Sequence, residues 1–93
     1  MEERRAGPVL RGGDVADAVL EAIREDNSDK DIVVDDHGAY VRIEAAGGLI
    51  LNRGSVEAAL GRAFKMQELE MYMSSFSGKI EITQEYAKWF FKS

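Results

Sequence analysis

Between Val15 and Ala45 the spacing of apolar residues changes from a helical period to a strand period, and no fold built of one element type satisfies both. Val15, Ala18, Val19, Ala22 and Ile23 follow the i, i+3, i+4, i+7, i+8 rule, so an amphipathic helix is predicted, with Asp17, Glu21, Arg24 and Glu25 facing water. Asp14 is expected to cap that helix, because its carboxylate can accept a free backbone N–H, and Asp26-Asn27-Ser28-Asp29 ends the pattern. From Asp31 the period is two. Ile32-Val33-Val34 runs into Asp36-His37-Gly38, and Ala39, Val41, Ile43 and Ala45 then alternate with Tyr40, Arg42 and Glu44, which reads as a β-hairpin.

The second half of the chain repeats this order. Leu49-Ile50-Leu51 is expected as a short buried strand after the Gly47-Gly48 break. Ser55 is expected to cap a two-turn helix with Val56, Ala59 and Leu60 inward and Gly61 as its stop. Leu69, Met71 and Met73 alternate with Glu68, Glu70 and Tyr72, which predicts a strand; Met66, Met71 and Met73 have the chemistry of an adaptable binding surface, but the alternation with Leu69 favours Met71 and Met73 in the core. Ile80 and Ile82 suggest another strand, and Trp89-Phe90-Phe91 a terminal one, since bulky aromatics suit a pleated surface. The expected fold class is α+β, two βαββ-like units packed into one compact domain, unit one about 9–46 and unit two about 49–92. Seven of the eight aromatic residues fall in the last thirty positions, so the larger apolar cluster is expected in unit two.

Ninety-three residues make one ordinary domain. Cysteine is absent and His37 is the lone histidine, which excludes disulfides, thiolate zinc sites, cysteine nucleophiles and any site needing two imidazoles. A net charge of -5 opposes binding to a phosphate backbone, so no nucleic-acid partner is expected. No apolar run nears the ~20 residues of a membrane span, and the charged start offers no signal-peptide core. A cytoplasmic protein without a membrane partner is expected. Charge is unevenly placed: residues 14 to 36 hold nine acids against Arg24 and Lys30, a distribution able to steer a docking partner.

Few constellations carry chemistry. Asp35, Asp36 and His37 have the residue types of proton transfer, and a small acid–base enzyme would have to use them. Their place before Gly38, between two strands, fits a turn better. Asp26 to Asp31 has the acid density of a calcium loop, but alternate ligands fail at Lys30. Gly12-Gly13 matches no phosphate-binding fingerprint, and Ser74, Ser75 and Ser77 lie in no nucleophile elbow. A cofactor-free binding or regulatory module fits these residues better than an enzyme does. A generic interaction module of another pathway, binding through an exposed sheet edge, is a further reading.

Four strings are more specific: Gly7-Pro8-Val9-Leu10-Arg11-Gly12-Gly13-Asp14, Val34-Asp35-Asp36-His37-Gly38-Ala39-Tyr40-Val41-Arg42-Ile43, Leu60-Gly61-Arg62-Ala63-Phe64-Lys65-Met66-Gln67-Glu68-Leu69-Glu70 and Ser74-Ser75-Phe76-Ser77-Gly78-Lys79-Ile80. In this order they resemble the small effector, or regulatory, proteins of bacterial multicomponent diiron monooxygenases. The toluene 4-monooxygenase branch is the nearest likeness, with the phenol hydroxylase and methane monooxygenase branches further off.

The resemblance implies a non-catalytic subunit with no cofactor or metal of its own. Such a subunit binds the diiron hydroxylase of an aromatic-hydrocarbon monooxygenase (toluene-, benzene- or phenol-type) and tunes active-site shape, oxygen activation, coupling and regiospecificity. It also implies possible competition with the ferredoxin or reductase for the same face. In the methane branch a strand followed by Asn-x-Ser-Ser-Thr lies over the hydroxylase entrance, and the matching stretch here begins at Tyr72, which stands where that branch has a small amide. The resemblance thus points to Tyr72, Ser74, Ser75, Phe76 and Gly78 as hydroxylase-interface residues, where small hydroxyls permit close approach and aromatics can anchor in a pocket.

Overall fold

The computed structural model describes residues 4–91, so Lys92, the expected end of the second unit, lies outside the described residues. Seven strands and three helices follow one another: β1 (Arg5–Arg11), α1 (Asp14–Asp26), β2 (Ile32–Asp36), β3 (Tyr40–Ala46), β4 (Leu49–Asn52), α2 (Arg53–Leu60), a 3₁₀ turn (Met66–Glu68), the four-residue helix α3 (Leu69–Tyr72), β5 (Met73–Ser77), β6 (Lys79–Ile82) and β7 (Tyr86–Phe90). The strands form two antiparallel sheets, ordered β2-β3-β1-β5 and β4-β7-β6. The α+β class expected from the sequence is the class observed.

The predicted stripe of α1 is buried, Val15, Ala18, Val19, Ala22 and Ile23 together with Ala16, while Asp14, Asp17, Glu21 and Glu25 are exposed. Val15, Ala16, Val19, Ala22 and Ile23 join Leu10, Ile43, Leu51, Val56, Phe64, Leu69 and Trp89 in a single core, so Phe64 and Trp89 do not form a separate cluster in the second half. Asp14 is not the cap. Gly13 holds that position, Asp14 is the first helical residue without a capping hydrogen bond, and the carbonyl of Gly13 accepts the N–H of Asp17 at 3.0 Å. The expected cap at Ser55 also moves: Asn52 flanks α2, and Ser55 lies inside its first turn. Gly61 does end α2, its N–H donating to Glu57.

The end of α1 is tied to β4 by a buried amide. Asn27 is 2% exposed; its Nδ2 donates to the carbonyls of Ile23 and Ile50, each at 2.7 Å, and its Oδ1 accepts the N–H of Ile50 at 3.0 Å. Among the described residues β4 has β7 on one side only. The Asn27 side chain therefore satisfies donor and acceptor of the strand's other edge as a neighbouring strand would.

The two sheets do not divide along the two sequence units. β5, from the second half, adds to β1 from the first, and the chain then crosses into the other sheet as β6. Gly78 makes that corner at φ +87°, and a Cβ there would lie 2.7 Å from the Phe90 carbonyl oxygen and 2.9 Å from Ala6 Cβ. Only glycine fits both the left-handed backbone and the contact.

The strand expected over Leu69–Met73 is instead helical as far as Tyr72. Met66 and Leu69, three apart, turn inward on the 3₁₀–α3 segment, and Glu68 accepts the Lys65 N–H at 2.8 Å to open it. Met73 is half-buried as the first residue of β5, but Met71, expected in the core, is 64% exposed. Helical spacing of Met66 and Leu69 wins over the apparent alternation because a one-turn helix buries only one side.

Candidate functional site

Among the described residues β5 is an edge strand, since β1 covers one of its sides and no described strand lies on the other. Its pairing with β1 runs Gly7 with Ser77, Pro8 with Phe76 and Val9 with Ser75, then slips so that Leu10 meets Met73. Ser74 is thus the extra residue of a β-bulge, and its hydroxyl donates to the Val9 carbonyl at 3.3 Å, holding the bulge to its neighbour. Ser74, Ser75 and Phe76 are all exposed, Phe76 to 42%. At the far end Ser77 donates to Glu44 Oε2 at 2.9 Å, reaching over Gly7 to β3.

The five residues expected at an interface consequently lie along one sheet edge. Tyr72 ends α3 and leans half-buried on the core, Ser74 and Ser75 form the exposed middle, Phe76 projects beyond them, and Gly78 turns the corner. Gly78 has a structural duty at that corner whatever else it touches. Sequence reading missed Arg11 here and placed Met71 in the core rather than on an adaptable binding surface. The Arg11 guanidinium, at the end of β1, donates to the Met71 carbonyl, pinning the last turn of α3 beside the start of β5. A further sequence signal for Met71 was its failure to fit the three-residue step from Met66 to Leu69.

Asp35, Asp36 and His37 are brought together, but as a turn. The Asp36 carboxylate accepts the Gly38 N–H at 2.8 Å, the His37 N–H donates to the Tyr40 carbonyl at 2.9 Å, and His37 Nε2 meets Asp35 Oδ2 at 2.9 Å. The imidazole also stacks on Tyr40 with ring centroids 4.7 Å apart. Every one of these groups is exposed, so the surroundings supply neither the burial nor the excluded water that acid–base chemistry uses.

The acidic segment forms an open groove between α1 and α2, about 360 Å³, with Asp14, Asp17 and Glu21 on one wall and Ala59 and Leu60 on the other; Arg62 also borders it. None of the described helices is long and apolar enough to cross a membrane.

Comparison with known proteins agrees with this architecture. The family model described as MmoB/DmpM matches residues 4–90. The effector subunit of the alkene monooxygenase system of Xanthobacter autotrophicus is 43% identical over 93 residues, all of this chain and 92% of that protein. DmpM, the stimulatory component of phenol 2-monooxygenase from Pseudomonas sp. strain CF600, is 40% identical over 72 residues, 77% of this chain and 78% of that one. Among solved structures, a chain of the phenol hydroxylase–regulatory protein complex superposes with a TM-score of 0.83 at 26% identity, covering 96% of this chain and 100% of that chain.

Proposed function

The chain belongs to the MmoB/DmpM family of monooxygenase effector proteins, and on that premise we propose that it binds the diiron hydroxylase component of a multicomponent hydrocarbon monooxygenase and tunes its active site. Its relatives carry effector, stimulatory or regulatory names and are not catalytic subunits. The observation that carries the reading is the edge of β5: an exposed, small-residue stretch on a fold shared with a chain solved in a complex with phenol hydroxylase.

The docking residues in this reading are Tyr72, Ser74, Ser75, Phe76 and Gly78. The serines allow close backbone approach, Phe76 offers apolar area for burial, and the bulge keeps the edge from pairing with stray strands. The effect on the hydroxylase follows from differential affinity. A subunit that binds one hydroxylase conformation more tightly shifts the population toward it, and with it active-site shape, oxygen activation, coupling and regiospecificity. Competition with a ferredoxin or reductase follows if both need the same hydroxylase face, and the assembly belongs in the cytoplasm.

For the substrate, the phenol 2-monooxygenase relative supports an aromatic hydrocarbon of the toluene, benzene or phenol type. The alkene relative supports an alkene instead. Hydroxylation assays with the cognate hydroxylase on toluene and on propene, with and without this chain, separate the two. A shift in rate and product distribution confined to the aromatic supports the first reading; one confined to the alkene overturns it in favour of the second. Size-exclusion chromatography with the same hydroxylase tests the partner, and failure to co-elute or to change either assay would refute the effector reading.

A further inference from the structure

Three large apolar side chains stand exposed among the described residues: Tyr40 at 41%, Met71 at 64% and Phe76 at 42%. Tyr40 is covered on one face by His37. Met71 and Phe76 have no such cover assigned, and they bracket Ser74 and Ser75 on the open edge of β5. Met71 is not stranded there by loose packing. Leu69 takes the buried side of the one-turn helix and Tyr72 leans on the core, which leaves the Met71 side chain outward, and the Arg11 guanidinium donates to the Met71 carbonyl.

We infer that Met71 and Phe76 are paired apolar anchors that seat the β5 edge on the hydroxylase, and that Arg11 is a positioning residue which presents Met71. This rests on the effector reading above and extends its interface by two residues. The occupant is a protein surface with apolar pockets, on three grounds. The patch continues directly from Tyr72 into the proposed docking stretch. The bulge at Ser74 interrupts the regular ladder, so the edge is poorly suited to receive an added strand and is read through side chains instead. The exposed acid Glu70 beside Met71 disfavours an anionic lipid surface. Methionine suits such an anchor because its flexible thioether conforms to the pocket it meets.

The test is isothermal titration of the cognate hydroxylase with the full chain and its variants. Met71→Ser is expected to weaken binding by about tenfold or more, whereas Met71→Leu, which keeps the apolar volume, stays within about threefold. Arg11→Met is expected to weaken binding several-fold and Arg11→Lys, which restores a donor, to recover part of the loss. Because Arg11 acts through Met71, adding Arg11→Met to Met71→Ser costs less than the product of the two single effects. Gln84→Ala, on the exposed β6–β7 loop, serves as the unchanged control, and melting curves of every variant separate docking from folding. If wild type binds and Met71→Ser binds equally well, the anchor role is overturned. Multiplicative Arg11 and Met71 effects overturn the positioning role. If wild type itself does not bind, the effector reading falls instead.

Discussion

The carboxylate of Asp26, on the last turn of α1, closes the start of the next helix: its Oδ1 accepts the Ser55 hydroxyl at 2.6 Å and its Oδ2 the N–H of Asn52 at 2.8 Å. A residue 29 positions away thus does for α2 what a local cap would ordinarily do. Asp26→Ala is expected to destabilise the fold by about 1–2 kcal/mol, with Ser55→Ala costing about half of that. The double variant should cost little more than Asp26→Ala alone, because both remove one shared contact. Urea unfolding of the four proteins of the cycle measures this.

Asn27, the next residue, carries a heavier load. Its three hydrogen bonds satisfy Ile23 and both backbone groups of Ile50 in a dry site. Asn27→Ala leaves those groups unpaired and should cost about 2–4 kcal/mol in equilibrium unfolding. Asn27→Asp should be at least as damaging, because it places an acceptor against the Ile50 carbonyl.

Gly78→Ala tests the corner between the sheets. Positive φ together with the 2.7 Å approach to the Phe90 oxygen predicts a loss of at least about 1–3 kcal/mol. A drop in hydroxylase binding by this variant must therefore be compared with its thermal midpoint, as must one by Ser74→Ala, which loses the bond to Val9, whereas Ser75→Ala probes the same edge without removing a backbone contact.

Tyr86 should titrate above the ordinary tyrosine value. The nearby charge of Glu81 is the main cause, with desolvation and the 3.3 Å hydrogen bond from the phenol to Glu81 Oε1 adding to it. A raised folded pKa means that the associated stability is present below the ordinary tyrosine value and is lost as pH climbs through the folded one. Ultraviolet titration should show Glu81→Gln moving Tyr86 back toward the ordinary value.

What the sequence made legible was local periodicity. The stripe of α1, the β2–β3 hairpin, β4 and the stop at Gly61 all rest on spacing within a dozen residues. The misses come from elsewhere. Ser55 and Asp14 have the chemistry of caps, but Gly13 and Asn52 occupy those positions, and Asp26 supplies the α2 contact from the preceding helix. Leu69 to Met73 shows both a two-residue and a three-residue apolar step, and only the packing of Met66 and Leu69 on the core decides between them. The pairing of β5 with β1 joins residues more than sixty apart, and no local pattern encodes it. The proposal for Tyr72 to Gly78 came from family resemblance, whereas Arg11 and Met71 meet only in three dimensions.

The most direct test of the central claim is steady-state turnover by the cognate hydroxylase and its electron-transfer components, scored as product formed per NADH consumed, with this chain titrated in. The account predicts that rate and coupling rise together and level off near one effector per active site. Unchanged rate and coupling with a hydroxylase otherwise competent to turn over would contradict it.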